Sequence, residues 1–201
     1  MFAKDYRALA WSSLKGKRGT LALITLIYSL IMGVCTALSR VYIGGIISLL
    51  ITGAFTLGIA SISNRVARYE SVEVEMLFSG FKRFGSSLAL YLINTIFIAL
   101  WSLLLIIPGI IKSLSYGLSF YILSDNQNIS TNEARKLSMQ MMEGHKWKLF
   151  CLHFSFIGWY LLGILTLGIL YFWIVPYHNT AVAVFYQDLL PKENVEETRV
   201  D

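Results

Sequence analysis

Charged residues are scarce in this chain of 201 residues: they make up 14% of it, and hydrophobic residues make up 56%. An ordinary soluble domain has about 25% charged and about 45–50% apolar residues, and a soluble fold of this length does not bury so much apolar surface. Proline, cysteine and glycine are also few, at 3, 2 and 15 residues. These counts exclude collagen, a disordered chain and a disulfide-rich scaffold. The composition predicts an all-α, multi-pass membrane protein.

Catalytic signatures are missing as well. The sequence has no Walker A loop and no Gly-x-Ser-x-Gly, His-Glu-x-x-His or Cys-x-x-Cys motif, and its charge-free runs hold no paired carboxylates. We therefore predict no catalytic, cofactor-binding or metal-ligating residues and no enzymatic activity; an intramembrane enzyme is the least favoured alternative. The basic residues that give the net charge of +5 lie beside apolar runs. They therefore indicate membrane lipid as the partner and no nucleic acid.

Five runs contain no Asp, Glu, Lys or Arg: 20–39, 41–63, 84–111, 113–124 and 149–187. A spanning helix needs about 20 apolar residues, so the last run is long enough for two spans. The run 113–124 is too short alone, but Pro108 can begin a helix, which gives a span over 108–124. The sequence thus predicts six spans in three hairpins, with outer turns near Arg40, Lys112 and Gly168.

The basic residues lie mainly on one side of these spans. With the N-terminus inside, 15 of the 17 basic residues and all 12 acidic residues fall in inner segments. This distribution predicts that both termini are cytoplasmic. Residues 1–190 are expected to form one integral membrane domain, and residues 191–201 a charged cytoplasmic tail.

Three glycines, Gly16, Gly80 and Gly144, are spaced 64 residues apart, and each lies next to a basic cluster. This period predicts three repeats, at about 1–64, 65–128 and 129–190. Each repeat begins with an amphipathic segment that is expected to lie in the headgroup plane. The glycine would then let the chain turn into the span. We name the six basic residues of these turns the basic elbows: Lys17, Arg18, Lys82, Arg83, Lys146 and Lys148.

The basic elbows have two interpretations. Facing anionic lipid, each basic residue contributes roughly 1 kcal/mol of attraction, and the elbows would form a binding surface. Alternatively, they only set the topology, as basic inner loops do in any multi-pass protein.

A few polar residues in or next to the spans are candidates for a path or a site. Asn94 is a lone amide, for which an interhelical hydrogen bond is the alternative. Lys112 either binds an anion or extends its ammonium to the interface. Asp125 is either a functional carboxylate or a helix end. His178 and Asn179 either line a path or are buried and hydrogen-bonded.

His153 and His178 both belong to the last two predicted spans. Counting residues from a turn near Gly168 places them roughly 7–8 Å apart in depth at about 1.5 Å rise per residue. This separation disfavours a metal site that both histidines share. The alternative to a functional role for His178 is a buried, hydrogen-bonded histidine pair.

Several strings carry a resemblance over nearly the whole chain: Leu-Phe-Ser-Gly-Phe at 77–81, Ile-Pro-Gly-Ile-Ile-Lys at 107–112, Tyr-Ile-Leu-Ser-Asp-Asn at 121–126, Gly-His-Lys-Trp at 144–147, Phe-Ile-Gly-Trp at 156–159, Pro-Tyr at 176–177 and Phe-Tyr at 185–186. The chain resembles the Gram-positive bacterial membrane proteins grouped as "domain of unknown function 975". The resemblance implies an integral protein of the bacterial plasma membrane. More loosely, the chain is similar to membrane domains attached to glycerophosphodiester phosphodiesterases, which implies lipid-related work.

Two functions follow as hypotheses. The first is a non-enzymatic membrane module whose basic elbows bind anionic lipid of the inner leaflet, or a membrane or cytoplasmic partner, including a second copy of the chain. The second is a small permease or transporter component with a path along the axis between the hairpins. That hypothesis predicts that Asn94, His178 and Asn179 line a central cavity.

Overall fold

The computed structural model describes residues 1–38, 43–126 and 128–190, and within these ranges it contains helices and no strands. The predicted tail 191–201 and the predicted turn at Arg40 lie outside the described residues. The helices are α1 Ala3–Ser13, α2 Arg18–Leu38, α3 Ile43–Ala67, η1 Val74–Arg83, α4 Phe84–Leu104, α5 Ile106–Tyr116, α6 Ser119–Asp125, α7 Thr131–Met141, α8 Lys146–Phe154, α9 Ile157–Leu165 and α10 Tyr171–Leu189, of which η1 is a 3₁₀ helix.

Among the described residues, five helical stretches are long and apolar enough to cross a membrane: Arg18–Ala37, Ser48–Ala67, Val74–Leu103, Ile106–Asp125 and Lys146–Leu165. Charge-free runs fold as helices in lipid because a helix satisfies every backbone hydrogen bond internally. The prediction of an all-helical fold is therefore confirmed, and five stretches suited by length and composition to crossing a membrane agree with a protein of several spans. Helix α10 has 19 residues but is not among the five, and it carries Pro176, His178, Asn179 and Thr180, which lower its hydropathy.

The helices divide into an outer and a core set. The outer helices are α2, α4 and α8–α9; in their apolar stretches only 17%, 17% and 22% of the residues are buried. The core helices are α3, α5–α6 and α10; the corresponding buried shares are 56% in α3 and 50% in α5–α6, and α10 buries nine residues. The outer helices therefore present their apolar side chains to the surroundings, and the core helices present theirs to one another.

The packed core lies toward the ends of the helix pairs that are distant from the hairpin turns. Phe55, Ile122, Phe156 and Phe185 are at most 2% exposed there. Near the turns, by contrast, the exposed apolar side chains are Leu103, Leu105, Ile106, Ile107, Leu165 and Leu167. Large apolar side chains exposed in this number are expected to contact lipid.

The three amphipathic segments each pack on a core helix. Helix α1 packs along α10, η1 along α3, and α7 along α6. The ring of Tyr6 in α1 meets the ring of Phe185 in α10 edge to face, with centroids 5.3 Å apart. A capping box of Ser130 and Glu133 begins α7. These segments are integral to the protein core, whichever lipid surface they also touch.

The three equally spaced glycines do not share one role. Gly16 and Gly144 have φ of 80° and 73°, so they turn the chain in the left-handed region as predicted. Gly80 lies inside η1, and a Cβ atom on it would be 1.9 Å from the carbonyl oxygen of Ala54 in α3. The prediction that Gly80 turns the chain is wrong: this glycine is required because η1 and α3 touch through their backbones.

The turn of the second helix pair also differs from the prediction. The chain turns at Leu105, and Pro108 lies in the first turn of α5, where a proline is tolerated. Lys112 is therefore inside α5 and not in the turn, with its ammonium 5.1 Å from the centroid of the Trp101 ring. The third turn contains Gly168, with φ of 89°, where it was predicted.

Candidate functional site

The first basic elbow, Lys17 and Arg18, lies between α1 and α2. The ammonium of Lys17 donates to the carbonyl oxygen of Glu70. Burial lowers the pKa of Lys17, and the charge of Glu70 partly opposes this shift. The guanidinium of Arg18 stacks over the ring of Trp11 at 3.9 Å from its centroid.

The second elbow, Lys82 and Arg83, is split between two roles. The two terminal nitrogens of Arg83 donate to the carbonyl oxygens of Leu123, Asn126 and Ile129 at 2.7, 2.9 and 3.0 Å. These bonds satisfy carbonyls at and beyond the end of α6, which a helix leaves without partners. Arg83 is thus occupied inside the protein, whereas the side chain of Lys82 is exposed.

The third elbow begins α8. Lys148 is exposed and Lys146 is half-buried. Between them, Trp147 is 72% exposed and stacks on Phe150 with ring centroids 5.2 Å apart. Exposed aromatic rings beside exposed lysines also occur at the second elbow, where Phe81 precedes Lys82.

Asp125 belongs to a polar cluster at the ends of the core helices. Its carboxylate forms an ion pair with the guanidinium of Arg68 and accepts a hydrogen bond from Asn64 Nδ2 at 3.2 Å. The same Asn64 nitrogen donates to Ser124 Oγ at 2.9 Å, and Arg68 Nε donates to Gln187 Oε1 at 3.3 Å. The cluster joins the ends of α3, α6 and α10.

A second acid, Asp188, ends α10 and holds α1. The hydroxyl of Tyr6 donates to Asp188 Oδ2 at 2.6 Å, and Tyr6 is 1% exposed. Burial, followed by the hydrogen bond and charge of Asp188, raises the pKa of Tyr6. Both acids that close core helices are therefore bound to neighbouring elements.

Asn94 is hydrogen-bonded to a residue of α7. Arg135 Nε donates to Asn94 Oδ1 at 3.0 Å, and the guanidinium lies 4.6 Å from the Phe97 ring centroid and 4.9 Å from that of Tyr116. Asn94 is 6% exposed. The amide thus anchors α7 to the second helix pair.

His153 and His178 lie side by side, so the predicted difference in depth is wrong. His153 Nδ1 and His178 Nε2 are 2.7 Å apart, as expected for a hydrogen-bonded histidine pair. The residue count failed because the chain is not one straight helix there: α8 ends at Phe154 and α9 begins only at Ile157. The rings of Phe156 and Tyr160 cover His178. In the described ranges no group of three or more His, Cys, Asp or Glu is placed to hold a metal ion.

Asn179 lines a cavity between α2, α3 and α10, and its carbonyl oxygen accepts a hydrogen bond from the Tyr121 hydroxyl at 3.3 Å. The three residues expected to line one path therefore lie in three different surroundings: Asn94 beside Arg135, His178 beside His153, and Asn179 in this cavity.

Comparison with known proteins places this chain in a family. The family model described as "Protein of unknown function (DUF975)" matches residues 1–119 and 103–193. The chain belongs to the DUF975 family. Neither the curated proteins nor the solved structures contain a match to it.

Several residues that organise this DUF975 protein were not identified from the sequence. Arg68 and Arg135 were counted only as inner positive charges, and Asn64 and Tyr6 were not singled out. The sequence carries a signal for Asn64 and Arg68, because an Arg or Asn near the end of an apolar helix needs a polar partner. The partner itself is distant in the chain, so the sequence does not name it.

Proposed function

We propose that this DUF975 protein is a non-enzymatic integral membrane module of six spans in three hairpin repeats, which binds anionic lipid of the inner leaflet at its basic elbows. The observation that carries the proposal is the exposure of Lys82 and Lys148 next to exposed aromatic rings. Both termini are cytoplasmic in this proposal, and the membrane is the bacterial plasma membrane that the family resemblance implies.

The repeated arrangement of the helices supports the six spans. Two amphipathic segments pack on the core helix of the preceding helix pair, η1 on α3 and α7 on α6. The first segment, α1, packs on α10, the core helix of the last pair. Helix α10 then corresponds in position to α3 and to α5–α6, and is the sixth span. Its lower hydropathy is tolerated because nine of its 19 residues are buried among other helices.

Lipid binding at the exposed elbows has a physical basis. A lysine close to an anionic membrane contributes about 1 kcal/mol of attraction, and Trp147 and Phe81 beside the lysines favour the depth of the headgroups. An acidic surface on a protein partner would offer the same charge complementarity, and lipid is favoured because the aromatic rings accompany the lysines.

A path along the axis receives less support. Large apolar side chains, among them Phe55, Ile122 and Phe185, fill the core at 2% exposure or less, and the three polar candidates for a path are separated. A core packed in this way leaves no room for a solute without a large rearrangement.

The lipid proposal is tested by thermal unfolding of the protein in a neutral detergent. Phosphatidylglycerol should raise the unfolding temperature more than phosphatidylcholine with the same chains. The double variant Lys82→Gln/Lys148→Gln should lose about half or more of that difference, because only part of the elbow charge remains. Lys112→Gln is the matched control, since it removes the same charge from α5. An unchanged difference in the double variant would refute binding at the elbows, and an equal effect of both lipids would refute charge-dependent binding.

The topology is tested separately with reporter insertions. Reporters placed after Arg40, Leu105 and Gly168 should all be active outside the cytoplasm, and reporters at both termini should be active inside. A cytoplasmic reporter at any of the three turns would overturn the six-span arrangement.

A further inference from the structure

We infer that one anionic phospholipid binds in the groove between α2 and α10, with its phosphate at Arg18. This inference rests on the proposed function and assigns one defined site to it. The groove consists of two adjoining cavities that share Leu21 and Pro176. The cavity at the start of α2, called the lower cavity, is lined by Trp11, Leu14, Arg18 and Trp173. The other, called the upper cavity, extends along α2 to Tyr28.

Arg18 has an unmet hydrogen-bonding need at one end of this groove. Its Nε is buried and has no hydrogen-bond partner in the protein. Stacking on Trp11 occupies the face of the guanidinium, but the N–H donors point along its edge and need acceptor oxygens. No acidic residue lies in the first turn of α2, and that helix end carries partial positive charge itself. A phosphate supplies both the charge and the acceptors.

The upper cavity suits the apolar part of a lipid. Most of its lining is apolar, including Leu21, Ile24 and Ile62, and it contains no charged residue. The hydroxyls of Thr25 and Ser63 already donate to carbonyl oxygens of their own helices, at 2.9 and 2.8 Å. The enclosed part of each cavity is small, about 30 Å³ above and 20 Å³ below. In this proposal the acyl chain therefore lies along the open side of the groove and not in a closed pocket.

The length of the groove matches one leaflet. From Arg18 to Tyr28 the groove follows ten residues of α2, or about 15 Å at the rise of an α-helix. Half of a hydrocarbon core of about 30 Å is the same length. Trp11, 44% exposed, stacks on Arg18 and favours the headgroup level. A phosphate at Arg18 therefore places an acyl chain along the apolar part of the groove.

The site is tested by native mass spectrometry of the detergent-purified protein, titrated with phosphatidylglycerol or with phosphatidylcholine of the same chains. The wild-type protein should retain one phosphatidylglycerol in preference to phosphatidylcholine. Arg18→Gln and Thr25→Phe should each weaken retention about tenfold, the first by removing the charge and the second by filling the groove. Lys4→Gln, which removes an exposed charge from α1 outside the groove, should leave this single adduct unchanged.

The outcomes separate the site from the elbow surface. A single adduct that persists in both Arg18→Gln and Thr25→Phe would overturn the groove site, while the thermal shift of the elbow variants would still decide the proposed function. If Thr25→Phe does not fold, a second measurement replaces it. Phosphatidylglycerol with brominated chains should quench a smaller fraction of the tryptophan fluorescence in a Trp11→Phe/Trp173→Phe variant than in the wild type. Equal fractional quenching would overturn the site.

Discussion

The guanidinium of Arg68, the residue directly after α3, forms an ion pair with the carboxylate of Asp125 at the end of α6. The Asp125 side chain is 14% exposed and that of Arg68 is 39% exposed, so the pair is neither fully buried nor free in water. The amide of Asn64 donates to the same carboxylate. One acid therefore holds Asn64 of α3 and Arg68 just beyond α3 against α6. The sequence alone is compatible with either a functional carboxylate or a helix end at this position.

The first prediction concerns this pair. Asp125→Ala should destabilise the protein by about 2 kcal/mol, because it leaves the Arg68 charge without its partner and Asn64 with fewer acceptors; solvent around Arg68 keeps the loss below that of a fully buried pair. The measurement is thermal unfolding followed by circular dichroism in detergent. Glu70→Gln is the control, since the exposed Arg65–Glu70 pair at 3.8 Å should contribute less than about 0.5 kcal/mol. Equal effects of the two variants would contradict the prediction.

The second prediction concerns Tyr6 and Asp188. Tyr6→Phe removes the hydrogen bond that holds α1 on α10 and should cost about 1 kcal/mol at neutral pH. Because the pKa of Tyr6 is raised in the folded protein, its stabilising contribution is complete below pH 10, the ordinary pKa of tyrosine, and is lost as the pH rises further. The difference in unfolding free energy between wild type and Tyr6→Phe should therefore shrink above pH 10. Lys4→Gln, an exposed change on the same helix, should show no such trend.

The third prediction separates the glycines by their surroundings. Gly80→Ala should be the most damaging change, because its Cβ would collide with the backbone of Ala54. Gly16→Ala and Gly144→Ala meet open space and should cost only about 1 kcal/mol each for the left-handed backbone. Gly85→Ala, inside α4 with open space around it, should be neutral or slightly stabilising. The unfolding temperatures of the four variants give this order directly, and a mild Gly80→Ala would show that η1 does not contact α3 so closely.

Much of the fold was predictable because the bilayer imposes a simple rule. A charge-free run of about 20 residues must become a helix in lipid, and the helices observed follow those runs closely. The turns were harder to predict. Pro108 suggests a helix start, but proline is accepted anywhere in the first turn of a helix. Helix α5 begins two residues before Pro108. The chain therefore turns at Leu105, and Lys112 lies inside α5.

Tertiary contacts account for the parts that were not predictable. Equal spacing of Gly16, Gly80 and Gly144 suggested one role, yet the role of Gly80 depends on Ala54, which packs on it only in the folded chain. In the same way, the residue count from the third turn did not include the break between α8 and α9, and the histidines meet. Pairing information of this kind is not contained in periodicity or composition.

The fourth prediction concerns Asn94 and Arg135. Asn94→Leu should cost about 1–3 kcal/mol, because the Nε of the half-buried Arg135 loses its acceptor, while Asn94→Asp keeps an acceptor and should cost less. Unfolding in detergent measures both; equal losses would show that volume, and not the hydrogen bond, matters at this position. The relative stability losses of the two Asn94 variants also bear on the lipid proposal. If Asn94 anchors α7 within the protein, then α7 does not depend on lipid for its position, and neutralising Lys148 just beyond it reports on lipid binding and not on the packing of that helix.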